Sequence, residues 1–429
     1  MICQRPSQSR IIARVSRGQS RISPEMKAKI RYQYFNLNWT IPEIADHHKI
    51  SAPAVDNYLV TLDPLMIDPD GDHQPAPIPF DQLSDEAKRA WNDFGYFRHR
   101  YFGRSTTPWA EHAAHRIEEL LATPDKEYVL VNGPPSVGKS TLFMHDLPAW
   151  LTVRNRAMRG LIGSSNESLA ARYTYRLRSS FDRETLMLGK ATDMEHGQAF
   201  DAQATLLNDF GRFRPVRSDA IWRRNEFTVE QFGEVTTTEK EATWTAFGQG
   251  EQLGQRVDFA GWDDLVTTKN SRSETKKEEQ KEFFEAEGEQ RIDPGGLFLL
   301  QGQRLRADDL YNWAANRVEE IVDDDGFVTE TRKVYVHFKY PAHFDERCEG
   351  KHLPSEAEPA GDFDEDCLPT NGHCLLDPYR LPYKMLMQKK RTNPANYHTV
   401  FQQEDAAPSG TLVPQYMLEG GIDPELEVS

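Results

Sequence analysis

Eight consecutive residues, Gly133-Pro134-Pro135-Ser136-Val137-Gly138-Lys139-Ser140, fit the pattern G-x-x-x-x-G-K-[ST]. The chemistry such a run can do is to grip a phosphate. Gly133 and Gly138 let the backbone wrap an anion without a Cβ in the way. The N–H groups of the turn and the positive end of the next helix then face that anion. Lys139 is expected to reach the β- and γ-phosphates of a nucleotide, and the Ser140 hydroxyl to ligate Mg²⁺. The flanks suit the motif: Tyr128-Val129-Leu130-Val131 reads as a buried strand, and Thr141-Leu142-Phe143-Met144 as the first turns of a helix. The stretch from Gly133 to Thr141 is therefore the expected ATP site.

A second group of residues could complete the chemistry. Val257-Asp258-Phe259-Ala260-Gly261-Trp262 reads as a strand that closes with two acids, Asp263 and Asp264. In a P-loop ATPase the first acid helps hold Mg²⁺ and the next polarises the attacking water. Gly295-Gly296-Leu297-Phe298-Leu299-Leu300-Gln301 gives another buried strand, ending at Gly302-Gln303-Arg304, where a polar side chain could sense the γ-phosphate. Upstream of the loop, Trp109 and His112 are candidates to hold the adenine ring. Cys348, His352, Cys367 and Cys374 lie in an acidic insertion rich in Gly and Pro; thiolates and imidazoles in two groups are what tetrahedral Zn²⁺ prefers. A loop too polar to make its own core gains most from such a metal.

The elements that must position these residues alternate. After the P-loop helix, Arg159–Ser165 reads as a strand, and Asn166 caps a helix from Glu167 to about Ser180. Strand-like runs follow at Glu226–Val229 and Ala242–Phe247. Alternation at this spacing implies an α/β fold with a mainly parallel sheet flanked by helices. Ahead of it, Ser23-Pro24-Glu25 and Thr40-Ile41-Pro42-Glu43 are helix starts, and a third helix is expected from Ala52 to Leu59. Ile44, Ala45, Ile50, Val55 and Leu59 are spaced to share a small core. That unit resembles a helix-turn-helix, with Ser51, Asn57 and Tyr58 offered to DNA. The expected division is a basic tail over 1–22 (Arg5, Arg10, Arg14, Arg17, Arg21), a helix-turn-helix over 23–60 and a Pro/Asp-rich linker over 61–80. An ATPase domain over 81–400 follows, with the Cys/His insertion at 340–380, and 401–429 leads away from it.

Composition narrows the class. No apolar run approaches the ~18 residues needed to span a bilayer, and four cysteines in 429 residues are too few for a disulfide framework. A net charge of −16 argues against a chain coated in nucleic acid but allows a local basic face.

From about Thr107 to Pro414 the order of segments resembles the ATPase domain of tailed-phage terminase large subunits. Besides the P-loop, the matching text comprises Gly163–Ala170, Gly248-Gln249-Gly250 through Gly254–Asp258, Asp263–Val266 and Asp293–Gly296. It continues with Gly302–Leu310, Tyr397–Glu404 and Pro408-Ser409-Gly410. The resemblance implies a P-loop ATPase of the ASCE type that moves double-stranded viral DNA in a bacterial host's cytoplasm. Its implied partners are a portal protein and a small terminase subunit. Lys139 would bind phosphate, Ser140 and Asp263 would hold Mg²⁺, and Asp264 would activate water. Gln303 falls where the family has a coupling motif, usually a small hydroxyl residue. The loop lacks the arginine some members carry, which implies a subunit ring donating one in trans, with Arg172, Arg176, Arg178 and Arg256 as candidates. The segment from Phe401 resembles the lead into the family's nuclease, so ATP hydrolysis without DNA cleavage is expected of this chain. Two other readings share the same core: a helicase-like remodeller, and a nucleotide-switched helix-turn-helix regulator.

Overall fold

The computed structural model describes residues 40–52, 74–189, 200–216, 220–232, 241–249, 254–267, 270–285, 289–306, 308–322, 327–345 and 358–404, with residues 26, 29, 30, 33, 54, 55, 348 and 352 besides. Its strands in chain order are β1 (Glu127–Asn132), β2 (Gly160–Ser164), β3 (Glu226–Phe227), β4 (Trp244–Gly248), β5 (Val257–Asp263), β6 (Ile292–Gly302), β7 (Val318–Val322), β8 (Val328–Lys333) and β9 (Val336–Lys339). Seven of them form one sheet in the order β3-β4-β2-β5-β6-β1-β9, while β7 and β8 pair separately as an antiparallel hairpin. Every neighbour in the large sheet is parallel except β3 on β4.

Parallel strands covered on both faces need near-continuous apolar text, which Val129–Val131 and Leu297–Leu300 supply. Alternation along each strand sends successive side chains to opposite sides. Val129, Val131, Ile162, Phe259, Leu297 and Leu299 join one buried layer with helices Asp85–Asn92, Phe94–Phe102, Pro108–Leu121 and Leu147–Arg154. Leu130, Leu161, Ala260, Trp262, Phe298 and Leu300 join the other, with Phe284 and helix Leu310–Asn316. The expected α/β class with a mainly parallel sheet between helices is what the chain adopts.

Local signals explain most helix ends. The Asn166 side chain accepts from the Leu169 N–H at 2.9 Å and starts helix Glu167–Phe181. Ser84 caps helix Asp85–Asn92, and extended Asp93 accepts from the Tyr96 N–H at 2.7 Å and caps the next, Phe94–Phe102. The helix after Gly138 runs through Lys139–Thr141, a π-helical turn Leu142–Asp146, and Leu147–Arg154. The π turn carries Asp146, fully buried, to Arg98 at 2.8 Å and to Arg104. Burial opposes the charge on Asp146, but Arg104 and Arg98 outweigh it and hold the carboxyl well below its usual range. The neighbouring His145 bonds Ser180 on helix Glu167–Phe181 at 2.8 Å. Three helices are thereby locked behind the loop.

The insertion expected to lack a core of its own shares the main one. Ala360, Cys367, Cys374, Leu375, Leu376 and Leu381 are buried there. His343 bridges to Leu375, and Phe363 packs on His112 with ring centroids 5.6 Å apart.

The chain divides into two units at Gln74/Pro75 rather than at residue 81. The end of the expected linker belongs to the second unit, with Ile78 N–H bonded to Phe210 and Arg212 N–H to Pro75. In the first unit, helix Ile41–His48 begins with a reciprocal box: Thr40 accepts from Glu43 N–H at 3.4 Å, and Glu43 accepts from Thr40 N–H at 2.7 Å. Ile30, Ile44, Ala45 and Val55 form its core, with Met26, Ile50 and Ala52 against them. Four of the five expected core residues thus meet, and Leu59 lies outside the described residues. So do the basic tail, Asn57, Tyr58 and residues 405–429, whereas Ser51 is exposed. Among the described residues no helix is long and apolar enough to cross a membrane.

Candidate nucleotide site

β1 ends at Asn132 and the loop Gly133–Gly138 turns the chain into the helix that starts at Lys139. Gly138 has φ 91°, and a Cβ there would meet nothing, so glycine is required by conformation and not by space. Gly133 is different: a Cβ there would stand 3.3 Å from Lys139 Cδ, so it clears the lysine stem. Ser136 adopts φ 71° between them. Pro134, Pro135 and Val137 complete the turn, with Val137 buried. Lys139 is buried and donates to the Pro134 carbonyl at 2.7 Å. Burial pulls its ammonium down to about 8, against the pull of Asp264 and Asp263.

The two acids arrive at the same end of the sheet, at the carboxyl end of β5. Ser140 Oγ donates to Asp263 Oδ1 at 3.2 Å. Asp263 is fully buried, and its Oδ2 has no hydrogen-bond partner. Burial first, then Asp264, pushes the Asp263 carboxyl up to about 6; burial also raises Asp264. Asp264 has φ 44°, a left-handed conformation uncommon for a non-glycine residue and typical of backbone held for function. Its N–H donates to the Gln301 carbonyl at 3.2 Å, and the next N–H, of Leu265, to the Tyr311 hydroxyl at 3.1 Å. Tyr311 stands where a Cβ on Gly302 would fall, at 2.0 Å, so that glycine makes room for the clamp on the acid loop.

Two residues of this site were not apparent in the sequence. Gln301, on the strand between β1 and β5, is fully buried and donates to Asp263 Oδ1. Tyr173, from helix Glu167–Phe181, directs its hydroxyl at Asp263 and Ser140. Gln303, the residue expected to serve as sensor, lies past the end of β6, and its Oε1 is buried without a partner. The polar group that β6 delivers to the acids is Gln301. Replacing Gln301 by Leu should lower ATP turnover by about tenfold or more, because the buried Asp263 Oδ1 then loses the amide donor and keeps its bond from Ser140; Gln303→Leu should change it less than about twofold. Steady-state phosphate release from the two variants checks the ranking.

Trp109 is also reassigned. Its ring is 1% exposed and packed between Phe143 and Tyr340, with centroids 6.5 and 5.4 Å away, so it offers no stacking face to a base. It forms the wall of a small cleft beside Gly138 and Thr141, where Arg98, Arg104 and Arg380 also line the space. His112 spends a ring nitrogen on the Tyr340 hydroxyl at 2.8 Å. Among the candidate arginines, Arg178 donates to the Trp222 carbonyl at 3.0 Å and Arg256 pairs with Asp293 at 3.4 Å. Arg172 and Arg176 are exposed on helix Glu167–Phe181.

The donors suit a small hard cation. A hydroxyl and a buried carboxylate with one unpartnered oxygen are oxygen ligands of the kind Mg²⁺ takes. No protein-family profile matches the chain, and neither does any curated protein. The functional reading therefore rests on this geometry and on the resemblance of the sequence segments.

Away from the loop, His343, Cys348, His352 and Cys374 place one ligand atom each within 4.8 Å of one another. Such a group could hold a metal such as zinc. Cys367, expected in that set, is not part of it: it is fully buried and bonded to the Tyr340 hydroxyl.

Proposed function

We propose that this chain is an ASCE-type P-loop ATPase whose hydrolysis of ATP moves double-stranded viral DNA, as in terminase large subunits. One observation carries the ATPase reading. Lys139 and Ser140 from the end of β1, and Asp263 and Asp264 from the end of β5, meet across one sheet edge although 123 residues separate Ser140 from Asp263. Ligands of open α/β sheets bind outside the carboxyl ends of the strands, and all four residues are there.

In this reading the backbone of Gly133–Gly138 and the Lys139 ammonium hold the phosphates. Ser140 and Asp263 hold Mg²⁺, which supplies neutralisation of charge on the phosphate oxygens. Asp264 accepts a proton from water as its oxygen attacks the γ-phosphorus, the bond to the bridging oxygen breaks, and ADP leaves. A raised carboxyl is the better base near neutral pH. Gln301 and Tyr173 fix the Asp263 carboxylate.

DNA as partner is supported by sequence order and by local charge. Helix Tyr383–Thr392 carries Lys384, Lys389, Lys390 and Arg391 with no acid, in a chain of net charge −16. A portal protein and a small terminase subunit are the partners the resemblance proposes. The test is phosphate release from ATP with and without Mg²⁺, and with and without a procapsid portal. Mg²⁺-dependent release stimulated by the portal is expected; no release above background overturns the ATPase, and release indifferent to the portal overturns the motor.

A further inference from the structure

We infer that residues 340–380 are fastened by a structural Zn²⁺ held by His343, Cys348, His352 and Cys374. This inference is independent of the ATPase reading, because none of the four residues belongs to the nucleotide site.

The geometry is that of a tetrahedral cradle. His343 Nε2 lies 3.2 Å from Cys348 Sγ and Cys348 Sγ lies 3.5 Å from His352 Nε2, while Cys374 Sγ comes within 3.9 Å of the other nitrogen of the His352 ring; one ligand atom from each of the four lies within 4.8 Å of the others. Zn–N bonds of about 2.0 Å and Zn–S bonds of about 2.3 Å set ligand atoms roughly 3.3–3.8 Å apart in a tetrahedron. The two separations from Cys348 Sγ are close to that edge. Two thiols and two imidazoles on one point are an unusual set to bring together for packing alone.

The surroundings orient the ligands as a metal requires. Asp345 pairs with His343 Nδ1, which leaves Nε2 as the ligand atom; a carboxylate on the far nitrogen is the usual support of a metal-bound histidine. His352 is stacked on Tyr383 at 3.3 Å between centroids and 23° between planes. The His343 backbone is pinned on both sides, its N–H to Gln402 Oε1 at 3.1 Å and its carbonyl to Gln402 Nε2 at 2.7 Å. Cys374 is held by the Phe344 N–H, which donates to its carbonyl at 2.8 Å. Two ligands therefore sit on backbone that hydrogen bonds hold in place, and the metal would join Cys348 and His352 to them.

Binding releases two thiol protons to solvent and gives a site of zero net charge, which burial tolerates. The consequence is a staple joining the exit of β9, the 358–376 segment and the start of helix Tyr383–Thr392.

Metal analysis of the purified full chain tests this. One zinc per chain is expected, lost in Cys348→Ser and in Cys374→Ser but kept in Cys367→Ser. Chelation should expose residues 345–372 to limited proteolysis, and Zn²⁺ should restore protection. If the variants do not fold, Co²⁺ added to the chelated wild type decides. Tetrahedral d–d bands with thiolate charge transfer support the site; octahedral Co²⁺ overturns it. Wild type without zinc after reconstitution, zinc retained in the Cys348→Ser/Cys374→Ser double variant, or loss in Cys367→Ser would each sink the inference.

Discussion

Asp264→Asn is expected to lower ATP turnover by on the order of 10²–10⁴-fold, the range over which a positioned general base contributes. The amide keeps the size and the backbone bonds of the aspartate. Asp264 N–H still reaches the Gln301 carbonyl and Leu265 N–H still reaches Tyr311, so the loop after β5 keeps its left-handed turn. Asparagine is among the residues that tolerate that conformation best. ATP affinity should change by less than about threefold, since the phosphate grip comes from Gly133–Ser140. Single-turnover hydrolysis and nucleotide binding measured on the same preparation separate the two effects. Equal turnover in the two proteins would remove Asp264 from the role of base.

Asp263→Asn has the second large effect, and its sign in stability is opposite to its sign in activity. Activity falls because Ser140 loses its charged partner for Mg²⁺. Stability of the metal-free chain rises. The carboxyl of Asp263 is raised from 3.8 to about 6, by burial first and then by Asp264. The folded state therefore keeps a proton where the unfolded chain has lost it, and the wild type loses stability as pH climbs through that window. Above the folded value the penalty is complete, at most about 3 kcal/mol. The asparagine variant does not carry it. Urea midpoints should accordingly coincide near about pH 4 and diverge in favour of the variant above about pH 6. Mg²⁺ should raise the wild-type midpoint and leave the variant unmoved. A variant less stable than wild type at neutral pH would contradict the account of the buried carboxylate.

Which parts of this were legible in advance follows from how each signal is written in the chain. The phosphate loop is contiguous, so eight residues and two flanks sufficed. Asp263 and Asp264 were legible because they close an apolar strand. Gln301 was not, because a buried glutamine at the end of Leu297–Leu300 reads as the last residue of a strand, and segment order drew the eye two positions on to Gln303. Tyr173 sits on an amphipathic helix, where nothing local separates an aromatic aimed at an acid from one packed on a neighbour. The metal set failed for a related reason. Cys367 is close to Cys374 in sequence, but the bridge between His343 and Leu375 brings His343 there instead. The insertion reads as coreless because its few apolar residues are scattered, yet they are buried in the main core. Position alone makes Trp109 a candidate base platform, whereas its ring is buried against Phe143 and Tyr340.

The place of β6 between β1 and β5 also governs the order in which the molecule can be made. β1, which leads into the loop at Gly133, and β5, which ends at the acids, do not touch each other; what joins them is residues 292–302, paired to both. Closing a loop from Glu127 to Leu297 is a long-range event, and parallel pairings of this kind form slowly. On the ribosome, the loop at Gly133 is complete long before the strand that joins it to Asp263 has been synthesised. For that interval the edges of β1 and β5 that β6 will cover have no partner.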